Sequence, residues 1–327
     1  MTPILVTGGA GFIGSHACKA LAAQGLTPVT FDNLSRGHVE LVRWGPFVHG
    51  DVLDATGIDE AFKSHRPTSV LHFAALAYVE ESVANPLVYY KTNVTGFVNL
   101  LDAMVKYGTE TIIFSSSCAT YGVPDAFPIR EDAPQKPINP YGRSKLLCEQ
   151  ILKDVGVSHG LRFAILRYFN AAGADSSGEL AERHQPETHL IPLAIDAAMR
   201  WGPPLQVFGS DYPTADGTCE RDFVHVSDLA DAHVAAFGYL DGGARSLTVN
   251  LGTGRARSIL NVISTVEKIT GRDVPIIHAP RRRGDPPTLL ADPSLARRAI
   301  GFDPRHSDLD TIIDTAWRAR KLLHRSS

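Results

Sequence analysis

Pro3-Ile4-Leu5-Val6-Thr7-Gly8-Gly9-Ala10-Gly11-Phe12-Ile13-Gly14 sets a short apolar run directly against a glycine turn. The run has no polar face, which suits a strand buried on both sides. Gly8, Gly11 and Gly14 are three apart, and a helical pattern runs on from Ile13 to Ala23. Strand, glycine turn and helix start together leave bare backbone N–H groups at a helix N-terminus, where a pyrophosphate binds. The next strand, Thr27 to Phe31, ends at Asp32, 24 residues after Gly8. An acid there takes both ribose hydroxyls of an adenosine and repels a 2′-phosphate. The expected cofactor is therefore NAD, not NADP; without the glycines, Asp32 would read as a plain loop cap.

Working outward, the alternation continues. Strands are expected at Phe47–Gly50, Ser69–Phe73 and Thr111–Phe114, with helices near Ile58–Ser64 and over Pro86–Tyr107. This spacing predicts an α/β fold with a Rossmann-type doubly wound parallel sheet. Ligands in such sheets lie beyond the carboxyl ends of the strands. Those ends read Asp51-Val52, Phe73-Ala74-Ala75 and Ser115-Ser116-Ser117. Further on, Asn139-Pro140-Tyr141-Gly142-Arg143-Ser144-Lys145 reads as a helix opening that puts Tyr141 and Lys145 on one face. A phenol is a weak base at neutral pH, and a fixed ammonium or a bound cationic ring favours its phenolate. Alone, a Tyr-x-x-x-Lys spacing is common in helices. Beside the glycine turn and the three serines it suggests a proton acceptor, with Ser117 in reach of Tyr141 or of a substrate hydroxyl; a serine capping a turn is the plainer reading of Ser117.

The chain of 327 residues is 20% charged and 44% apolar, with a net charge of −3, which suits a sizeable core and excludes a nucleic-acid or membrane-surface partner on overall charge. Cys18, Cys118, Cys148 and Cys219 lack metal or disulfide spacing, and no metal site is expected. No apolar run is long enough to span a bilayer and no leader pattern precedes the first strand, so a soluble cytoplasmic protein is expected.

Thr7-Gly8-Gly9-Ala10-Gly11-Phe12-Ile13-Gly14-Ser15, His72-Phe73-Ala74-Ala75, Phe114-Ser115-Ser116-Ser117 and the Asn139–Lys145 run resemble the extended short-chain dehydrogenase/reductase family. Within it the chain is similar to the UDP-glucose 4-epimerases. Supporting runs are Asp32-Asn33-Leu34, Tyr90-Lys91-Thr92-Asn93-Val94, Leu166–Asn170, Phe208–Thr214, Arg221–Val226 and Arg282-Arg283-Gly284-Asp285. The resemblance implies an NAD site made by Gly8, Gly11, Phe12, Ile13, Gly14, Asp32, Asn33, Asp51, Val52, Phe73, Ala74, Ala75, Asn93, Ser115, Tyr141, Lys145 and Tyr168. It implies catalysis by Tyr141, Lys145 and Ser117. The UDP-sugar would be held by Ser117, Tyr141, Asn170, His189, Leu190, Phe208, Arg221, Arg282, Asp285 and Leu289. A diphosphate suits arginines, and a uridine ribose suits a carboxylate such as Asp285; read alone, Arg281 and Arg283 are a solvated surface patch. The family also implies a homodimer formed through the helix after Pro86 and the helix carrying Tyr141.

Three positions depart from better-known members: Ala77 replaces a phosphate-reaching lysine, His189 replaces an asparagine, and Leu289 replaces a tyrosine or a small residue. Cys118 and Ala119, after Ser117, are not carboxylic acids, which disfavours dehydration and decarboxylation. The expected division is an NAD-binding part, 1–171, and a smaller mixed α/β substrate domain, 172–327, with the sheet revisited near 223–252. Val224 to Asp228 is expected to be a strand-to-helix turn with an N-cap. The resulting expectation is C4 epimerisation of a UDP-hexose, with a UDP-xylose/UDP-arabinose 4-epimerase or a non-catalytic NAD-binding sensor as alternatives.

Overall fold

The computed structural model describes residues 2–282 and 285–325, so Arg283 and Gly284 lie outside the described residues. In chain order the large sheet and its helices begin with β1 (Pro3–Thr7), α1 (Phe12–Ala23), β2 (Thr27–Asp32), β3 (Phe47–His49), α2 (Ala55–His65) and β4 (Ser69–His72). Next come α3 (Val79–Ala84), α4 (Pro86–Tyr89), a π-helical stretch (Tyr90–Thr95), α5 (Gly96–Tyr107), β5 (Thr111–Ser117), α6 (Pro140–His159) and β6 (Arg162–Tyr168). The remainder comprises β7 (Asn170–Ala172), α7 (Leu190–Met199), β8 (Leu205–Phe208), β9 (Glu220–His225), α8 (Val226–Asp241), β10 (Leu247–Leu251) and β11 (Ala256–Ser258). It ends with α9 (Ile259–Thr270), β12 (Ile276–Ala279), β13 (Thr288–Leu289), α10 (Ser294–Ile300) and α11 (Leu309–Arg325).

Seven strands form one parallel sheet in the order β10-β6-β5-β4-β1-β2-β3. The apolar runs explain it, because successive side chains leave a strand on opposite faces. Ile4, Val6, Leu71, Ile113 and Leu166 face a core shared with Ala17 and Leu21 of α1 and Leu229 and Ala236 of α8. Leu5, Val70, Ile112 and Ile165 face the other, shared with α2, α5 and α6. Both faces are covered, which is the doubly wound arrangement expected. The strand predicted to end at Phe114 runs on through Ser117, because Ser115, Ser116 and Ser117 stay in register with Leu166, Arg167 and Tyr168. Pro86 to Tyr107 is helical throughout, with the π turn at Tyr90–Thr95 inside it.

The smaller part holds a sheet of β11-β9-β13 with β7 beside β9, and a β12-β8 pair, against α7, α9 and α11. The strand Glu220–His225 belongs to this sheet, whereas α8 and β10 return to the large one. The turn between β9 and α8 is capped by His225, whose Nδ1 accepts from Ser227 N at 3.1 Å. Asp228, in the first turn, instead receives His306 N at 3.0 Å and Ser307 Oγ at 2.5 Å.

Glu149 of α6 and Arg167 of β6 form an ion pair at 2.6 Å, and their side chains are 0% and 2% exposed. Ser116 Oγ and Gln135 Nε2 donate to the same carboxylate at 2.5 and 3.1 Å, and Arg167 also donates to Tyr121 Oη at 2.9 Å. Removing one member leaves the other charge buried and alone, a loss of about 3–5 kcal/mol. Glu149→Ala should lower the urea-unfolding free energy by about that amount; a change under about 1 kcal/mol would mean that water reaches the Arg167 guanidinium.

Candidate active site

The glycine turn is dictated by space. Gly8 has φ +74°, and a Cβ there would lie 2.6 Å from Ala74 N. A Cβ on Gly14 would collide with the Gly8 carbonyl, whereas one on Gly11 would meet only that carbonyl oxygen, at 3.3 Å, leaving the space before it open. Gly11 is the N-cap of α1 and no side chain caps this end, so the first-turn N–H groups are left for an anion. The Phe12 ring turns away to meet His16 and His184 edge-on, so Phe12 has only its backbone to offer here.

Asp32 Oδ2 accepts from Ala10 N at 3.0 Å and Oδ1 from Leu34 N at 2.8 Å, fixing the carboxylate beside the turn. Burial pushes its pKa up, and those two N–H groups work against the shift. Asn33 Nδ2 and Leu53 N both donate to Asp51, each at 2.8 Å, which draws Asn33, Asp51 and Val52 into one corner. Asn93 holds the Leu76 backbone in both directions, at 2.8 and 3.0 Å, and donates to Ser144 Oγ at 3.0 Å. Half-buried Phe73 packs its ring on His233, 4.6 Å between centroids, with Ala74 and Ala75 beside it at the end of β4. A turn that admits no Cβ at Gly8 or Gly14, an uncapped helix start and a fixed carboxylate fit a dinucleotide.

The reacting end is carried by α6. Asn139 Oδ1 caps it by accepting from Gly142 N at 2.8 Å, and Pro140 takes the first position, where no N–H is needed. Lys145 Nζ donates to the Ser115 carbonyl at 2.8 Å and lies 5.1 Å from the centroid of the Phe114 ring. Burial pulls the Lys145 pKa down to about 8, with Cys148 and Glu149 opposing. For Tyr141 the sequence expectation is reversed in the protein alone. Burial raises the phenol above its ordinary range, Tyr168 adds to this, and the Ser117 hydrogen bond opposes it. Ser117 Oγ also accepts from Ala119 N at 3.1 Å, so this serine is both a turn cap and the neighbour of Tyr141. Ser115 Oγ and Tyr168 Oη share a short hydrogen bond, and burial pushes Tyr168 up to about 12.

At the other end, Asp285 lies between two arginines: Arg221 Nη2 at 3.5 Å and Arg282 Nε at 3.1 Å. Arg282 also stacks on Phe208 at 4.7 Å and reaches Glu80 of α3 at 3.3 Å, so it spans the two halves of the chain. Asn170 Nδ2 donates to the Asp222 carbonyl at 2.9 Å. Leu289 is opposite Arg221 in register and packs, half-buried, against the cluster of Cys118, Tyr121 and Phe169. Arg281 is tied to Asp211 at 2.6 Å and covers the Tyr212 ring.

His189 and Leu190 stand at the N-terminal end of α7. Leu190 begins α7 and packs into the core of the smaller part. His189 Nδ1 pairs with Glu182 at 2.8 Å and Glu187 at 3.1 Å, and His184 Nδ1 meets Glu182 at 2.9 Å. Burial opposes charge on this group, but mutual attraction holds the Glu182 carboxyl down and the His189 imidazole up. Read singly from the sequence, His189 gives no sign of this cluster. The available signal was two acids and two histidines alternating within Glu182-Arg183-His184-Gln185-Pro186-Glu187-Thr188-His189.

The pattern of the NAD dependent epimerase/dehydratase family matches residues 4–252. A UDP-glucose 4-epimerase of Rhizobium meliloti is 52% identical over 96% of this chain and 95% of that protein. The crystal structure of UDP-glucose 4-epimerase from Brucella ovis in complex with NAD superposes with a TM-score of 0.95 at 55% identity, covering 97% of this chain and 98% of that one. The enzyme of Stenotrophomonas maltophila, with bound NAD and formylated UDP-arabinopyranose, gives a TM-score of 0.96 at 41% identity over all of both chains.

Lys145 gives a pH signature. Its folded pKa, about 8, lies below the free value of 10.5, so between them the unfolded chain binds more protons and stability rises with pH. Tyr141 acts oppositely, but only above its free value of 10.0. Urea unfolding of cofactor-stripped protein and of Lys145→Met should therefore diverge with pH over that lysine window, the wild type gaining on the variant. Parallel profiles would give Lys145 an ordinary pKa.

Proposed function

The chain belongs to the NAD dependent epimerase/dehydratase family, and from that premise we propose that it inverts C4 of a UDP-hexose, interconverting UDP-glucose and UDP-galactose. The observation that carries the reading is Tyr141 beside Ser117, one helical turn from Lys145, at the end of a parallel strand beside a dinucleotide cradle. Bound NAD supplies the hydride acceptor and donor for C4, and its cationic ring favours the Tyr141 phenolate. Tyr141 takes and holds the 4-hydroxyl proton, and the Ser117 hydroxyl orients the same oxygen. The Ser115 carbonyl fixes the Lys145 ammonium below them, at 2.8 Å. Inversion requires the 4-keto sugar to turn over before it regains its hydrogen, so the nucleotide is gripped and the sugar is not. Arg221, Arg282 and Asp285 are the polar grip, while apolar Leu289 offers the sugar no hydrogen bond.

The same reading divides the chain into an NAD-binding part, 1–171 with α8 and β10 returning to it, and a UDP-sugar-binding part over 172–327. A homodimer is supported by exposed Val83, Leu87, Val88, Val98 and Val105 on α3 to α5 and Leu147 on α6; sedimentation at micromolar concentration tests it. Among the described residues no helix is long and apolar enough to cross a membrane, and we place the enzyme in the cytoplasm. A UDP-arabinose 4-epimerase of Arabidopsis thaliana, 40% identical over all of this chain, keeps UDP-pentoses as the second substrate class to assay.

Tyr141→Phe keeps the ring and removes the acceptor. Epimerisation of UDP-galactose should fall at least about 100-fold while the protein still releases NAD on denaturation; activity within a few-fold of wild type would remove Tyr141 as the base. Leu289 has no group to meet an acetamide, and an unpaired amide against an apolar wall loses about 1–3 kcal/mol. UDP-hexoses should therefore outpace their N-acetyl forms, and Leu289→Ser should narrow that gap in kcat/KM. An unchanged ratio would assign Leu289 to the packing around Cys118 alone.

A further inference from the structure

We propose that Glu182, His184, Glu187 and His189 form a four-ligand site for one zinc ion. Each of the four presents a ligand atom, and these atoms all lie within 4.8 Å of one another. A tetrahedral zinc with bonds of about 2.0–2.1 Å needs ligand atoms about 3.3–3.4 Å apart. Four of the separations here are 2.9 Å (His184 Nδ1 to Glu182), 3.9 Å (His184 Nδ1 to Glu187), 2.8 Å (His189 Nδ1 to Glu182) and 3.1 Å (His189 Nδ1 to Glu187). The other two edges, between the two imidazoles and between the two carboxylates, are within 4.8 Å.

A second observation points to a cation. Both carboxylates are withdrawn from water, at 7% side-chain exposure each; Glu187 Oε1 accepts from the N–H groups of Thr188 and His189, each at 2.9 Å, while its Oε2 has no hydrogen-bond partner. A buried carboxylate oxygen without a partner is costly, and two adjacent carboxylates repel. Of the nearby cations, Arg320 of α11 is engaged with Asp196 at 2.5 and 2.8 Å, and Arg36 with Glu81 at 2.6 Å. One dication would neutralise both carboxylates and be bound by both imidazoles in their neutral form. Two nitrogens and two oxygens suit zinc, whereas calcium and magnesium require six or more oxygens.

The position gives the site its consequence. The four ligands end where α7 begins at Leu190. His184 meets the rings of Phe12, which opens α1, and Tyr78, which follows Ala77, at 6.2 and 5.7 Å. Zinc would therefore brace the lead-in to α7 against the phosphate turn.

The test uses the NAD-bound protein after dialysis against a chelator. Calorimetric titration with zinc sulfate should give one equivalent per chain, and the double variant His184→Gln/Glu187→Gln should weaken binding at least about 100-fold, beyond what loss of an outer-shell partner does. Cobalt(II) in place of zinc should give the intense visible bands of tetrahedral coordination, which reads the wild type alone should the double variant fail to fold. Non-stoichiometric zinc, a weak octahedral cobalt spectrum, or binding indifferent to the double variant would each overturn the site.

Discussion

The placement of the reactive side chains depends on a charge pair buried beneath them. Glu149 is anchored to Arg167 of β6 and Ser116 of β5, and it sits on the same helix as Tyr141 and Lys145. A carboxylate and a guanidinium this deep tolerate only a narrow geometry, because any slip leaves a charge unpaired in a low dielectric. The pair therefore locks the axial and rotational position of α6 over the sheet. Arg167 extends the lock through Tyr121 to Asn250 of β10, so the last strand of the sheet joins the same network. Strand alternation then divides the work of three consecutive serines. Ser116 faces α6 and holds the anchor, while Ser115 and Ser117, facing the other way, meet Tyr168 and Tyr141.

Desolvation is the dominant electrostatic fact of the reacting end. It pulls Lys145 down and pushes Tyr141 up, so in the protein alone both groups lean toward neutrality. A cation bound in that dry pocket consequently acts on the phenol far more strongly than it would in water. The nucleotide end follows a different logic. Arg282 is half exposed and shared between Asp285 and Glu80, two carboxylates that the proposed function would have it exchange for a diphosphate. On the proposed function, the buried end carries the bond-making groups and the more exposed end carries the grip.

Much of this was legible in the chain itself. The β1–turn–α1 unit was readable because a both-sides-buried strand, a glycine needing positive φ and an uncapped helix start are all local signals. Tyr141 and Lys145 were readable from helical spacing, as was the opening of their helix at Asn139 to Lys145. The resemblance supplied Arg221, Arg282 and Asp285, which the fold gathers around one carboxylate. It did not supply the surroundings of His189, whose nearest partners are seven and two residues back but become a cluster only through the bend of that segment.

The sequence by itself determined the class of fold, the cradle for a dinucleotide and the helical pairing of Tyr141 with Lys145, since each is written within a few residues of backbone. Tertiary structure alone decided how those groups behave. Whether Lys145 or burial governs the Tyr141 phenol depends on how much water reaches it, and that is set by packing from β5, β6 and α6 together. Whether Arg282 faces Asp285 or Glu80, 202 residues away, is likewise invisible to spacing. Backbone preferences act between neighbours in the chain, whereas dielectric and charge act between neighbours in space.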